Sequence, residues 1–433
     1  MWQGSRSFVS KRLETASPGA FSLYCIVAAF GTYFCMYAFR KPFTAGTYEA
    51  TVFWGGSLKT LLLTAQVCGY TVSKFIGIKF VSELAPRYRA VAILSLIAIS
   101  EIALLLFAVT PSPWCAVWLF VNGVPLGMVF GLVLGFLEGR RMTEALSAGL
   151  CSSIILSSGV VKSVGRTLIQ DWGVSENWMP FVSGLIFTVP LVVAVWLLAQ
   201  IPPPTASDVR LRTERKPMYR EQRHSFFRRH AVGLVGLLFI YVLLTIGRSI
   251  RDDFAVEVWR DLGVVEDTEV FARSEMWVMV IVLILNSFVC MVRNNRKAFM
   301  GSLALTAVGF VIVLVAVVGH LRGWTSPMVF MVLLGIGMYI PYVTFHTTLF
   351  ERMIAAFREV GTIGYLMYLA DAIGYLAYLI IVILRNTLLD DANFLRLMIG
   401  VSVAIAMASL LAICGVSMHY HRRIPKEGDM LEE

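Results

Sequence analysis

The sequence predicts an all-α polytopic membrane protein of twelve transmembrane helices in two pseudo-symmetric six-helix halves. Three observations carry that prediction. The chain of 433 residues is 58% hydrophobic and only 15% charged, too little polar residue to cover a water-soluble body of this size. Apolar runs of about 18–25 residues, each long enough to cross a bilayer as a helix, recur from one end to the other. One long polar stretch divides those runs six and six. The alternation expected of a transmembrane barrel is absent.

In order, the N-terminal segment 1–19 is polar and basic. It lacks a short apolar core ending in a small-residue cleavage site, so the first apolar run is expected to be a retained helix, not a signal peptide. The expected N-terminal half, 20–201, contains spans at 20–43, 57–80, 90–110, 114–137, 147–169 and 179–201. Next comes "PPPTASDVRLRTERKPMYREQRHSFFRRH", whose prolines and charges read as a linker over 202–230. The C-terminal half, 231–418, carries spans at 231–254, 274–293, 298–320, 326–350, 360–384 and 395–418, followed by a tail at 419–433.

Charge in the loops sets the expected orientation. Lys79, Arg87, Arg89, Arg140, Arg141, the eight basic residues of the linker, Arg293, Arg296, Lys297, Arg352, Arg358, Arg422 and Arg423 share one side. "DDFAVEVWRDLGVVEDTEV" and "NTLLDDANF" share the other. By the positive-inside rule the basic side, with both termini, is cytoplasmic. The formal charge of +9 thus reflects topology, and no nucleic-acid partner is expected. All seven cysteines lie in apolar runs without metal-ligand spacing and read as packing residues. No cofactor or metal is expected.

Cations inside apolar runs are costly, about 2.5–3.5 kcal/mol each on insertion scales, and usually face a cavity or a partner. "YFCMYAFRKPF" holds Arg40 and Lys41, and "LLTIGRSIRDDF" holds Arg248 and Arg251. Arg40 and Arg248 are 208 residues apart, close to half the chain, each near the end of the first helix of its half. That recurrence marks them as two guanidinium forks facing one cavity, a clamp for a phosphate or carboxylate. Lys41 and Arg251 fit snorkelling to the interface. Lys162 and Asp371 lie deep in their runs and are candidate coupling or charge-pair residues. His346, able to titrate near neutral pH, joins them. Gln66 and Asn122 read as helix–helix hydrogen-bonding residues, and the glycine-rich "NGVPLGMVFGLVLG" and "GIGMYIPY" as close packing or flexing positions. Neither a nucleophile elbow nor a zinc motif is present, and an enzyme is not expected.

These residues resemble a known family. "YAFRKPF" is similar to the Tyr-x-x-Arg-Lys-x-Phe element in the first helix of the organophosphate:phosphate antiporters, a branch of the major facilitator superfamily that includes the glycerol-3-phosphate and hexose-phosphate transporters. Tyr37, Arg40, Lys41 and Phe43 match it, with Tyr33 one turn earlier. "VSKFIG" resembles its second-helix element at Lys74, "LLTIGRSIRDDF" its seventh-helix element at Arg248 and Asp253, and "YIPYVTFHTTLFE" its tenth-helix stretch at Tyr339, Pro341 and Glu351. The resemblance implies that Arg40 and Arg248 grip an oxyanion, assisted by Lys74, Tyr33, Tyr37 and Tyr339. It implies antiport of a small organic anion against inorganic phosphate by a monomer in the bilayer of a bacterial inner (plasma) membrane. Departures are also visible. "KFVSELAPRYR" lacks the superfamily's usual Asp-Arg pair, serine stands near Ser157 or Ser158 where the family places a fifth-helix histidine, and Lys162 and Asp371 are additions. Two rivals remain open: an anion sensor of the same fold without transport, and a membrane enzyme built around His346 and Glu351.

Overall fold

The computed structural model describes residues 8–48, 52–53, 56–138, 140, 143–203, 220–292, 294–357, 363–388 and 393–423. The core of the linker, Arg141, Arg293, Arg358, Asp390, Asp391 and the last ten residues therefore lie outside the described residues. A short amphiphilic helix, α1 (Phe8–Glu14), precedes the bundle. The first half comprises α2 (Pro18–Tyr37), α3 (Leu58–Glu83), α4 (Arg89–Val109), α5 (Cys115–Leu137), α6 (Thr143–Gln170) and α7 (Met179–Ala199). The second comprises α8 (Arg220–Asp253), a short α9 (Ala255–Asp261), α10 (Val270–Cys290), α11 (Asn295–Leu321), α12 (Pro327–Thr344), α13 (Phe350–Ala356), α14 (Ile363–Leu388) and α15 (Phe394–Arg423). A two-residue ladder, Val52–Phe53 with Gly56–Ser57, joins α2 to α3.

Among the described residues, eleven helices are long and apolar enough to cross a membrane. The twelfth expected span is α3. Its 26 residues reach about 39 Å at 1.5 Å per residue, but Lys59, Lys74, Lys79 and Glu83 make it more polar. Side chains such as Val189, Val232, Phe288 and Leu411 point outward, each more than 60% exposed. Such a belt suits lipid and would be untenable in water. The halves meet along two seams, α6 against α10 and α3 against α14.

Three differences from the expected spans have local causes. The first span stops at Tyr37 and resumes as a 3₁₀ turn over Pro42–Ala45. Pro42 has no N–H for the Ala38 carbonyl, so the helix cannot continue through it. Carbonyls orphaned by the break are taken up by amides from neighbouring helices. Gln66 Nε2 donates to the Arg40 carbonyl (2.6 Å), and Asn122 Nδ2 to that of Phe39 (2.9 Å). Asn122 Oδ1 in turn accepts from Gln66 (2.9 Å). Gln66→Leu or Asn122→Leu leaves a buried carbonyl unsatisfied. Each is expected to cost about 1–3 kcal/mol, read as a lower midpoint in thermal unfolding of the detergent-solubilised protein.

In the tenth span a π turn over Phe345–Leu349 follows Pro341 and places His346 on the interior side. Finally, α8 begins at Arg220, inside the expected linker. Phe226 and His230, one turn apart, pack with ring centroids 5.0 Å apart, and His230 meets Phe357 at 4.6 Å, which anchors the added turns. The glycine patches are packing positions. A methyl on Gly69 would strike the Phe120 carbonyl and one on Gly123 the Gln66 carbonyl, because α3 and α5 touch there. Gly337 is likewise pressed against the Gly309 carbonyl, where α11 meets α12.

Candidate functional site

The break after Tyr37 frees the backbone at 38–41 to turn inward, and the turn delivers two cations to the space between the halves. Arg40 lies with its guanidinium carbon 3.7 Å from the Tyr70 ring centroid and 5.8 Å from those of Tyr37 and Tyr375. Opposite, on α8, Arg248 sits 4.6 Å from the Tyr342 ring and donates to the Tyr375 hydroxyl (3.3 Å). Tyr375 of α14 thus bridges the two arginines. Tyr33 packs edge-on against Tyr37 (5.6 Å), and Tyr339 against Tyr342 (6.2 Å), completing an aromatic cage. A small cavity remains beside the arginines, lined by Lys41, Gln66, Ser249, Asp253 and Tyr378 among others. At about 10 Å³ it holds roughly one water.

Most other interior cations are matched to carboxylates, and mostly across the two halves. Lys41 reaches Asp252 (2.7 Å) and also Asp253, which accepts from the Tyr378 hydroxyl (2.7 Å). Lys162 bonds to Asp252 and to Ser158, and Ser158 itself donates to Asp252. Lys59 meets Glu257 at 2.5 Å, and Arg251 meets Glu275 at 2.7 Å. Toward the basic face, Lys74 bonds Asp371 (2.8 Å) and Arg352 bonds Glu144 (2.8 Å). Among the described residues neither Arg40 nor Arg248 has a carboxylate partner, and the Nε of each is buried without an acceptor. Among the described residues, buried cations outnumber buried carboxylates; Arg140, at the basic end of α5, bonds the Pro202 carbonyl, and the two central guanidiniums have neither a carboxylate nor a carbonyl partner.

Two expectations need correction. Lys41 and Arg251 do not snorkel; they are 5% and 2% exposed and ion-paired. The interior supplies carboxylates at bonding distance, which makes burial cheaper than extension to the interface. For the same reason Asp252, Asp253 and Glu257, read as an outer acidic loop, end α8 and open α9 inside the protein. Of the other candidates, Lys162 and Asp371 are both in charge pairs. His346 bonds the Tyr342 carbonyl through Nδ1 (2.9 Å) and lies 3.8 Å from Asp371. Glu351 follows in α13 and is half-buried. Sequence reasoning missed Tyr70, Tyr342 and Tyr375. Tyr70 stands one turn before Lys74 and Tyr375 one turn after Asp371, so the helical period was the available signal.

Comparison with curated proteins finds no match. Solved structures resemble the chain extensively. One is described as "Crystal structure of D-xylose-proton symporter", with a TM-score of 0.60 and 14% identity over 92% of this chain and 97% of that one. The shared fold is the major facilitator fold, two six-helix halves around a central site. The profile of one family, described as "Family of unknown function (DUF5690)", matches residues 42–423. That match spans most of both halves and takes in Tyr70, Arg248, Tyr342 and Tyr375 but begins after Tyr33, Tyr37, Arg40 and Lys41, and the chain belongs to this family.

Proposed function

We propose that the chain is a secondary transporter that moves a small organic anion, a phosphate ester or similar oxyanion, by alternating access. The observation that carries the reading is the pair Arg40 and Arg248, two cations between the halves that have no carboxylate partner among the described residues. An unpaired buried charge is costly, and an anion between the forks offsets that cost at the point where the halves meet. Tyrosine rings hold both guanidiniums in place before the ligand arrives.

Inter-half charge pairs lie on both sides of this site. Lys41, Lys162 and Lys59 bind acids of the second half toward the acidic face, and the pairs Lys74–Asp371 and Arg352–Glu144 cross between the halves toward the basic face. Access alternates as one set parts while the other holds. An empty pair of arginines resists closure, which favours exchange, with inorganic phosphate as the return ligand. The basic face is assigned to the cytoplasm by its loop charge, in an inner (plasma) membrane.

A thermal-shift screen of phosphate esters, phosphonates, carboxylates and sulfonates on purified protein tests the reading. One class is expected to raise the unfolding midpoint, and Arg40→Ala to remove the shift. A shift that survives Arg40→Ala contradicts this site. Stabilisation without flux in liposomes would instead identify a sensor.

A further inference from the structure

Asp371 occupies a position that the anion clamp alone does not require. It lies in the middle of α14, on the seam with α3, and its two oxygens serve different halves. Oδ2 accepts from Lys74 Nζ of the first half (2.8 Å); Oδ1 accepts from the Tyr241 hydroxyl of the second (2.5 Å). Among the described residues, titratable or charged groups surround it from α3, α6, α8, α12, α14 and the π turn. Lys74 and Tyr70 come from α3, Tyr241 and Arg248 from α8, Tyr342 from α12 and His346 from the π turn. Cys151 comes from α6, and Tyr368 and Tyr375 flank it on α14. His346 Nε2 stands 3.8 Å from Oδ1 and 3.4 Å from the Tyr241 hydroxyl, a short path along which a proton can pass.

Lys74 is also a neighbour of the clamp. Its ammonium is 5.0 Å from the centroid of Tyr70, the ring that carries Arg40 on its own surface at 3.7 Å. As long as Asp371 is ionised, Lys74 is neutralised and the site presents two free cations. A proton on Asp371 removes that neutralisation, leaves Lys74 as a third cation one ring from Arg40, and weakens the bond that ties α3 to α14.

We propose that Asp371 is the proton-binding site of a proton-linked anion carrier: each anion enters the arginine clamp together with one proton, taken up by the Asp371 carboxylate as Lys74 turns to the anion. The proposal rests on the anion-carrier reading and adds the coupling to it. Charge balances, since the incoming proton restores the positive charge that Asp371 cancelled and the anion consumes it. Dissociation reverses both. Net movement of the anion then runs with a proton gradient, and exchange is the same cycle without its empty return. Lys74 is a binding residue only in the protonated state, which places Asp371 as the residue that sets how much negative charge the site accepts.

Sulfate is a suitable probe beside inorganic phosphate because it does not titrate near neutral pH. Purified full-length protein in lightly buffered detergent, with a pH-indicator dye, is mixed with either anion across a pH series. Wild type is expected to take up about one proton per sulfate bound, with affinity improving about tenfold for each unit the pH falls. Asp371→Asn is expected to bind sulfate with no proton uptake and no pH dependence. The double variant Lys74→Met with Asp371→Asn leaves neither charge unpaired and is expected to draw no proton either, so the test holds even if the single variant folds poorly. Sulfate or phosphate binding without proton uptake by wild type, or undiminished uptake in Asp371→Asn, overturns the proposal and leaves the anion reading intact. No binding of any oxyanion or carboxylate by wild type overturns both.

Discussion

Arg40→Ala and Arg248→Ala are each expected to weaken anion binding about 10- to 150-fold while leaving the ligand-free protein as stable as wild type or more so. A hydrogen bond to a charged group contributes about 1.5–3 kcal/mol, and each fork loses at least one. Stability responds with the opposite sign because these two guanidiniums lack a carboxylate among the described residues. Removing them relieves an uncompensated charge, and what is lost is ring contact with Tyr70 or Tyr342, about 0.5–2 kcal/mol. Arg40→Lys keeps the charge but not the planar fork, so it is expected to fall between wild type and alanine. Binding measured by calorimetry and the unfolding midpoint without ligand check the two halves of the prediction. A ligand-free variant that melts far below wild type would make these arginines structural.

Asp252→Asn is expected to do the reverse and destabilise the protein strongly. Asp252 accepts from Lys41 (2.7 Å), Lys162 and Ser158. Lys41 keeps Asp253, but Lys162 keeps only the Ser158 hydroxyl (2.7 Å) among the described residues and is 2% exposed. Stranding a buried charge in this way costs about 3–5 kcal/mol. Adding Lys162→Met removes the stranded charge and is expected to recover most of the loss. Because these pairs join α6 and the turn after α2 to α8, the double variant is also expected to open more readily toward the acidic face. Labelling of a cysteine introduced at Ser249 by a membrane-impermeant thiol reagent measures that opening. A single variant that melts like wild type would mean that Lys162 has found another partner.

The helices of the two halves and the inward placement of Arg40 and Arg248 were legible because they depend on local signals, apolar runs and a half-chain recurrence. Charge pairing was not. Lys41 and Asp253 are 212 residues apart and Lys74 and Asp371 are 297 apart, and no periodicity in a single sequence joins them. Without those partners, snorkelling was the cheaper account of Lys41 and Arg251, and the acids after Arg251 read as a loop. The cage was half legible. Tyr33, Tyr37 and Tyr339 came through a resemblance in their own helices, whereas Tyr70, Tyr342 and Tyr375 matter only because folding brings α3, α12 and α14 to the arginines. The helix break was signalled by Pro42, but its rescue by Gln66 and Asn122 needed the packing of α3 against α5.

The central claim is that an anion crosses the membrane between Arg40 and Arg248. Its most direct test is exchange flux in proteoliposomes, with the anion that most stabilises wild type in the thermal screen as labelled substrate. Wild type is expected to show saturable flux, Arg40→Lys or Arg248→Lys reduced flux, and the alanine variants at least tenfold less than wild type. Undiminished flux in any of the four would contradict it.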